Sequence, residues 1–161
     1  MNIRRARPDD VTSILRLISE LAEYEQALDE VKVTKSQIIE HFFCTDPKVF
    51  CDLVESEEGS VVGFAVWFLN YSTWTGTHGI YLEDLFVEPE FRGRGYGRSL
   101  LVHLARICVQ EGYQRFQWWV LNWNTPSIEF YRSLGAQPMD EWTTYRVTGD
   151  ALRQLGDPEP Q

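Results

Sequence analysis

Two stretches of this chain hold residue types that could do chemistry. Arg92-Gly93-Arg94-Gly95-Tyr96-Gly97 lies between an apolar run ending at Val87 and a helix-like apolar period beginning near Ser99. A glycine-rich turn feeding a helix N-terminus presents backbone N–H groups with no Cβ in the way, beside the positive end of the helix dipole. Such a turn suits a diphosphate. No Lys followed by Ser or Thr comes after the glycines, which removes the P-loop reading, and Arg98 stands where the dinucleotide pattern G-x-G-x-x-G needs its last glycine. What remains is R-x-x-G-x-G, with Arg92, Arg94 and Arg98 around the turn. By itself the turn is equally an ordinary strand-to-helix connection.

The second stretch is the strand-like run Ile80 to Val87, where Glu83 and Asp84 interrupt apolar and aromatic residues. Burying ionised carboxylates there would cost several kcal/mol unless they face water or a cation, so they are expected to line a cleft. Adjacent strand residues point to opposite faces. A regular strand would offer only one of the pair to a ligand unless a bulge redirects the second. Glu83 is the first choice; the alternative is that either residue simply pairs with a buried arginine.

The elements that must hold these residues follow from periodicity. Ile3 to Ala6 reads as a short strand, and Pro8-Asp9-Asp10 caps a helix with the apolar face Val11, Ile14, Leu15, Ile18, Leu21 and Ala22. Thr34 and Gln37 have capping-box form for a second helix, whose buried stripe is expected to be Ile38, Ile39, Phe42 and Phe43. Strands are expected over Val49 to Glu55, Val61 to Asn70 and Ile80 to Val87, joined by Glu57-Glu58-Gly59 and by a turn region from Ser72 to Gly79. A helix from about Ser99 to Glu111 should stop at Gly112 in a left-handed cap. Phe116 to Leu121 reads as a strand, Thr125-Pro126 opens a helix ending before Gly135, and Trp142 to Val147 reads as a last strand. These elements are expected to make one domain over residues 1–155, with 156–161 a flexible tail.

Composition narrows the partners. With 161 residues and 43% apolar content the chain can bury a full core as a single domain. A formal net charge of −9 disfavours nucleic acid and an anionic membrane surface and favours a cationic ligand. Glu20, Glu23, Glu25, Asp29 and Glu30 concentrate acidity near the end of the first helix, although such runs are commonly solvated helix faces. No signal peptide or membrane span is visible, so a cytoplasmic location is expected. Cys44, Cys51 and Cys108 read as buried reduced thiols, and His41, His78 and His103 lack metal-ligand spacing, so no metal is expected.

The order β-α-α-β-β-β-α-β-α-β, with the R-x-x-G-x-G turn after the fourth strand, resembles the GNAT superfamily of acetyl-CoA-dependent N-acetyltransferases. More particularly, Tyr24-Glu25, Tyr71-Ser72-Thr73-Trp74, Tyr81-Leu82-Glu83-Asp84, Arg92 to Gly97, and Trp123-Asn124-Thr125-Pro126-Ser127-Ile128-Glu129-Phe130-Tyr131 with Gly135-Ala136 resemble the spermidine/spermine acetyltransferase group and its thialysine-acetylating relatives. The resemblance covers almost the whole chain. It implies an α/β (α+β) fold with a central mixed, mostly antiparallel sheet flanked by helices, acetyl-CoA as donor, a small cationic di- or polyamine as acceptor, and a homodimer.

The resemblance also implies residue roles. An alkyl ammonium of pKa about 10.4 costs roughly 4.6 kcal/mol to deprotonate at pH 7, and Glu83 would help remove that proton through water while Asp84 helps bind the amine. The leaving thiol, with a pKa near 8.5, calls for a proton donor, and Tyr131 occupies the general-acid position. Backbone N–H groups of Leu85, Phe86 and Val87 would serve the oxyanion, in a splay of that strand from its neighbour. Arg92, Gly93, Arg94, Gly95, Tyr96, Gly97 and Arg98 would hold the diphosphate, and Asn124, Ser127 and Tyr131 would flank the pantetheine arm. Tyr24, Glu25, Trp74, Glu83 and Asp84 would contact the acceptor, the aromatic faces through cation–π contacts. The segment Thr75-Gly76-Thr77-His78-Gly79 is longer than the resemblance suggests, and Trp118 and Trp119 are bulkier, so that they could narrow the cleft or pack on a second copy. The other functions compatible with this reading are acetylation of protein lysines or N-termini, and a catalytically silent CoA-binding dimeric module.

Overall fold

In the computed structural model, which describes residues 1–157, the apolar runs pair into one five-stranded sheet. The strands β1 (Asn2–Arg5), β2 (Phe50–Glu55), β3 (Val61–Ser72) and β4 (Thr77–Val87) are antiparallel in that order, and β5 (Phe116–Trp118) joins β4 in parallel. The helices are α1 (Val11–Tyr24), α2 (Lys35–Phe42), α3 (Tyr96–Glu111), α4 (Thr125–Ser133) and α5 (Gly149–Gly156). The mixed, mostly antiparallel sheet agrees with the fold the sequence suggests.

The chain forms two compact units, the first spanning Met1–Trp119. On one face of its sheet, Cys51, Leu53, Phe64, Val66 and Phe86 form a core with Ile14 and Leu17 of α1 and Ile38 of α2. Residues one step along each strand face the other way, where α3 lies with Leu100 and Leu104 fully buried. On that face Asp52 is only 1% exposed. It accepts the Trp67 indole N–H at 2.7 Å, with Arg5 Nε and His103 Nε2 each 3.4 Å from its other oxygen. A buried carboxylate is tolerated when it is paired in this way.

Local signals set the helix ends. Asp10 accepts the Arg7 N–H at 2.8 Å and pairs with Arg4 at 2.7 Å, fixing the lead into α1. Gln26, at φ 60°, stops α1 in the left-handed region, and Ala27 N–H returns to the Ala22 carbonyl at 2.8 Å. The capping box forms as expected, with Thr34 N–H donating to Gln37 Oε1 at 2.9 Å. Gly95 at φ 86° and Gly112 at φ 72° bracket α3.

Several expectations are corrected. Ile39 is 49% exposed, because α2 is short and only Ile38 points fully inward. Cys44 is exposed, past the end of α2, whereas Cys51 and Cys108 are buried. The turn region narrows to residues 73–76, since Tyr71 pairs with His78 and Ser72 with Thr77, extending both strands. The fifth strand stops at Trp118 rather than Leu121.

The second unit is Val120–Gln161, described to Asp157. Residues 142–147 are not a strand: Trp142 and Tyr145 are 68% and 91% exposed, and an extended segment needs a neighbouring ladder to satisfy its backbone. α5 follows them instead, unanticipated from the sequence. Of the tail expected over 156–161, Gly156 ends α5 and Asp157 is irregular, while 158–161 lie outside the described residues.

Candidate active site

Glu83 owes its setting to an irregularity in β4. Asp84 pairs with Val66 and Leu82 with Trp67, so Glu83 is an extra residue opposite no partner of its own. This bulge turns Glu83 and Asp84 to the same face of the sheet, the one covered by α1 and α2. The two side chains that a regular strand would separate are thereby brought together.

The resulting charge is unbalanced. Asp84 is pushed up to about 7, first by burial and then by the negative charges of Glu83 and Glu25. Glu25, at the C-terminal cap of α1, is itself raised by burial. Among the described residues none of these carboxylates takes part in an ion pair, so neither acidic strand residue serves a buried arginine. A cluster of this kind favours a cation brought from outside. Next to it lies an aromatic ladder on the same face: Phe68 stacks on Tyr81 at 4.9 Å, and Trp119 meets Tyr81 edge-on at 5.8 Å.

The edge of β4 beyond this point is open to β5. Pairing with β5 ends at Leu82 and Trp118, whereas β4 continues to Val87. The Glu88 N–H bonds the Val62 carbonyl at 3.0 Å. By alternation, Phe86 turns its polar groups to β3, and Leu85 and Val87 turn theirs to the edge that β5 has left. The splay inferred for this strand is therefore present in the backbone.

The glycine-rich turn follows. Gly93 and Gly95 have φ 74° and 86°, and a Cβ at either would meet nothing within 4 Å, so the turn is left-handed and open at the start of α3. Tyr96 is buried against Phe91. Arg94 lies over Phe91 at 5.5 Å, and Arg98 is exposed in the first turn of α3. Arg92 faces the other way. Its Nε donates to the Val87 carbonyl at 2.9 Å, and its guanidinium lies over Tyr24 at 4.7 Å and Phe86 at 5.3 Å. A recess of about 640 Å³ between α1 and the end of β4 has Tyr24, Phe86 and Arg92 in its wall, with Glu20, Glu23 and Glu88 around it.

The first unit thus gathers Tyr24, Glu25, Glu83, Asp84, Phe86 and Arg92 on one face, with Leu85, Val87 and Gly93 to Arg98 along the edge of β4. Trp74 stands apart, 90% exposed in the turn beyond the far end of β4. In the second unit Asn124 is buried and its side chain accepts the Ser127 N–H at 3.3 Å, setting the start of α4, on which Tyr131 lies. The sequence reading missed the stack of Phe68 on Tyr81 and the inward course of Arg92. The hairpin register set by Ser72 opposite Thr77, which carries Phe68 opposite Tyr81, could have shown the first; nothing local signals the second.

The model of the acetyltransferase (GNAT) family matches residues 13–136. The chain is 37% identical over 163 residues to a thialysine N-epsilon-acetyltransferase of Sus scrofa, covering 95% of each. It is 32% identical over 162 residues to the spermidine/spermine N(1)-acetyltransferase-like protein 1 of Homo sapiens, covering 95% of this chain and 23% of that one. Among solved structures it is similar to an integron cassette protein from the mobile metagenome of V. cholerae, with TM-score 0.79, 26% identity and 96% of each chain covered.

Proposed function

The chain belongs to the acetyltransferase (GNAT) family, and we propose that it transfers the acetyl group of acetyl-CoA directly to a primary amine of a small di- or polyamine, spermidine- or spermine-like or thialysine- or lysine-like, in a ternary complex. That it is an N-acetyltransferase follows from its family and relatives. The observation supporting the acceptor class is the grouping of Glu25, Glu83 and Asp84, none of which is in an ion pair among the described residues.

The open left-handed glycines at the start of α3 fit a diphosphate, because backbone N–H groups there can be approached without meeting a Cβ. Bound acetyl-CoA supplies an activated thioester. In this reading Gly93 to Arg98 hold the diphosphate, Arg94 and Arg98 add positive charge, and Asn124 and Ser127 position the pantetheine arm. Leu85 and Val87 offer their N–H groups to developing negative charge at the open edge, while the Phe86 N–H, expected to share that role, is turned to β3 instead. Tyr24, Glu25 and Asp84 hold the acceptor cation. Glu83, exposed on the bulge, takes the proton from the attacking amine through water. Tyr131 gives a proton to the departing thiolate; its support is the sequence match from Asn124 to Gly135.

A turnover screen tests the proposal. Acetyl-CoA with a panel of mono-, di- and polyamines and lysine peptides should release free thiol fastest with a di- or polyamine, and Tyr131→Phe should be much slower at neutral pH. Absence of amine-dependent thiol release, or faster turnover of peptides than of every free diamine, would sink it.

A further inference from the structure

Trp119 lies one residue beyond the last paired position of β5. Tyr81 pairs with Gln117 and Leu82 with Trp118, so by alternation Trp119 turns to the face that carries Tyr81 and Glu83, its ring 5.8 Å from that of Tyr81. Its ring crosses the Tyr81 ring at 90° and remains 56% exposed, and Tyr81 in turn stacks on Phe68. Two perpendicular rings on the face that carries Glu83 make a corner that attracts an organic ammonium. The corner stands about 6 to 7 Å along β4 from the open edge at Leu85, by the strand rise.

We propose that Trp119 determines acceptor specificity, its ring and that of Tyr81 receiving the second, non-reacting ammonium of a short diamine while the first lies near Asp84. The inference rests on the amine acetylation proposed above and adds to it the residue that distinguishes a diamine from an uncharged analogue of the same length. Glu83 borders the corner and keeps its role toward the attacking amine; the rings supply their negative faces to the second ammonium.

The test compares wild type, Trp119→Leu and Trp119→Phe on 1,4-diaminobutane and on 4-amino-1-butanol, whose hydroxyl replaces the second ammonium. Trp119→Leu should raise KM for the diamine roughly 2- to 30-fold, in the range of one cation–π contact, with kcat and the KM for the amino alcohol changed less than about twofold. Trp119→Phe should retain most of the discrimination. Calorimetric Kd values for the diamine on CoA-saturated enzyme should move in parallel with KM. Equal losses on both acceptors would reveal a general structural role, and no change would put the ring off the acceptor path; either overturns the inference alone. If wild type turns over neither amine, the amine-acetylation reading fails and the inference falls with it.

Discussion

Arg92 belongs to the diphosphate turn by sequence, yet its side chain reaches back to cap the Val87 carbonyl and to lie over Tyr24 and Phe86. It joins the turn that would hold the donor to the end of the helix that presents Tyr24 and Glu25. Asp84 shows the opposite situation, a half-buried carboxyl among like charges. Because its folded pKa, about 7, lies above that of an ordinary aspartate, the folded state binds an extra proton between the two. Its contribution to stability is therefore present in acid and declines as pH rises through about 7. Asp84→Asn should gain stability relative to wild type at pH 8 compared with pH 5, measured as the difference in urea midpoints. An unchanged difference would show that Asp84 is not held protonated.

At the scale of elements, β4 does most of the positioning. Gly63 on β3 allows it to approach: a Cβ there would stand 2.7 Å from the Phe86 carbonyl oxygen and 3.0 Å from Val54 Cγ1. Gly63→Ala should cost on the order of 1–3 kcal/mol by denaturant unfolding, as overpacked sites do. Gly95→Ala differs in kind. With φ 86° and open space around it, the cost is conformational, about 1–2 kcal/mol. The added methyl would also obstruct a diphosphate, so the KM for acetyl-CoA should rise while that for the amine stays constant. Much of this was legible in the residues, since Thr34 with Gln37, Gly112 and the glycine turn act through local backbone chemistry. The bulge at Glu83 and the parting of β4 from β5 were not, because both depend on register between distant strands. Residues 142–147 have the alternation of a strand, but a strand requires a partner, which pattern alone does not supply.

At the scale of the molecule, a net charge of −9 and an acidic face suit a cationic substrate and raise its encounter rate at low salt. The homodimer implied by the resemblance would be seen by light scattering as a mass of twice 18.8 kDa, and a mass of 18.8 kDa would contradict it. The central claim is direct transfer to a free amine from a ternary complex. A single-turnover experiment analysed by mass spectrometry tests it most directly: with 1,4-diaminobutane, acetyl-CoA should give acetylated diamine and CoA in equal amounts, while without amine the protein should gain no acetyl group. Acetyl-protein formed before the amine is added, and consumed afterwards, would contradict the account.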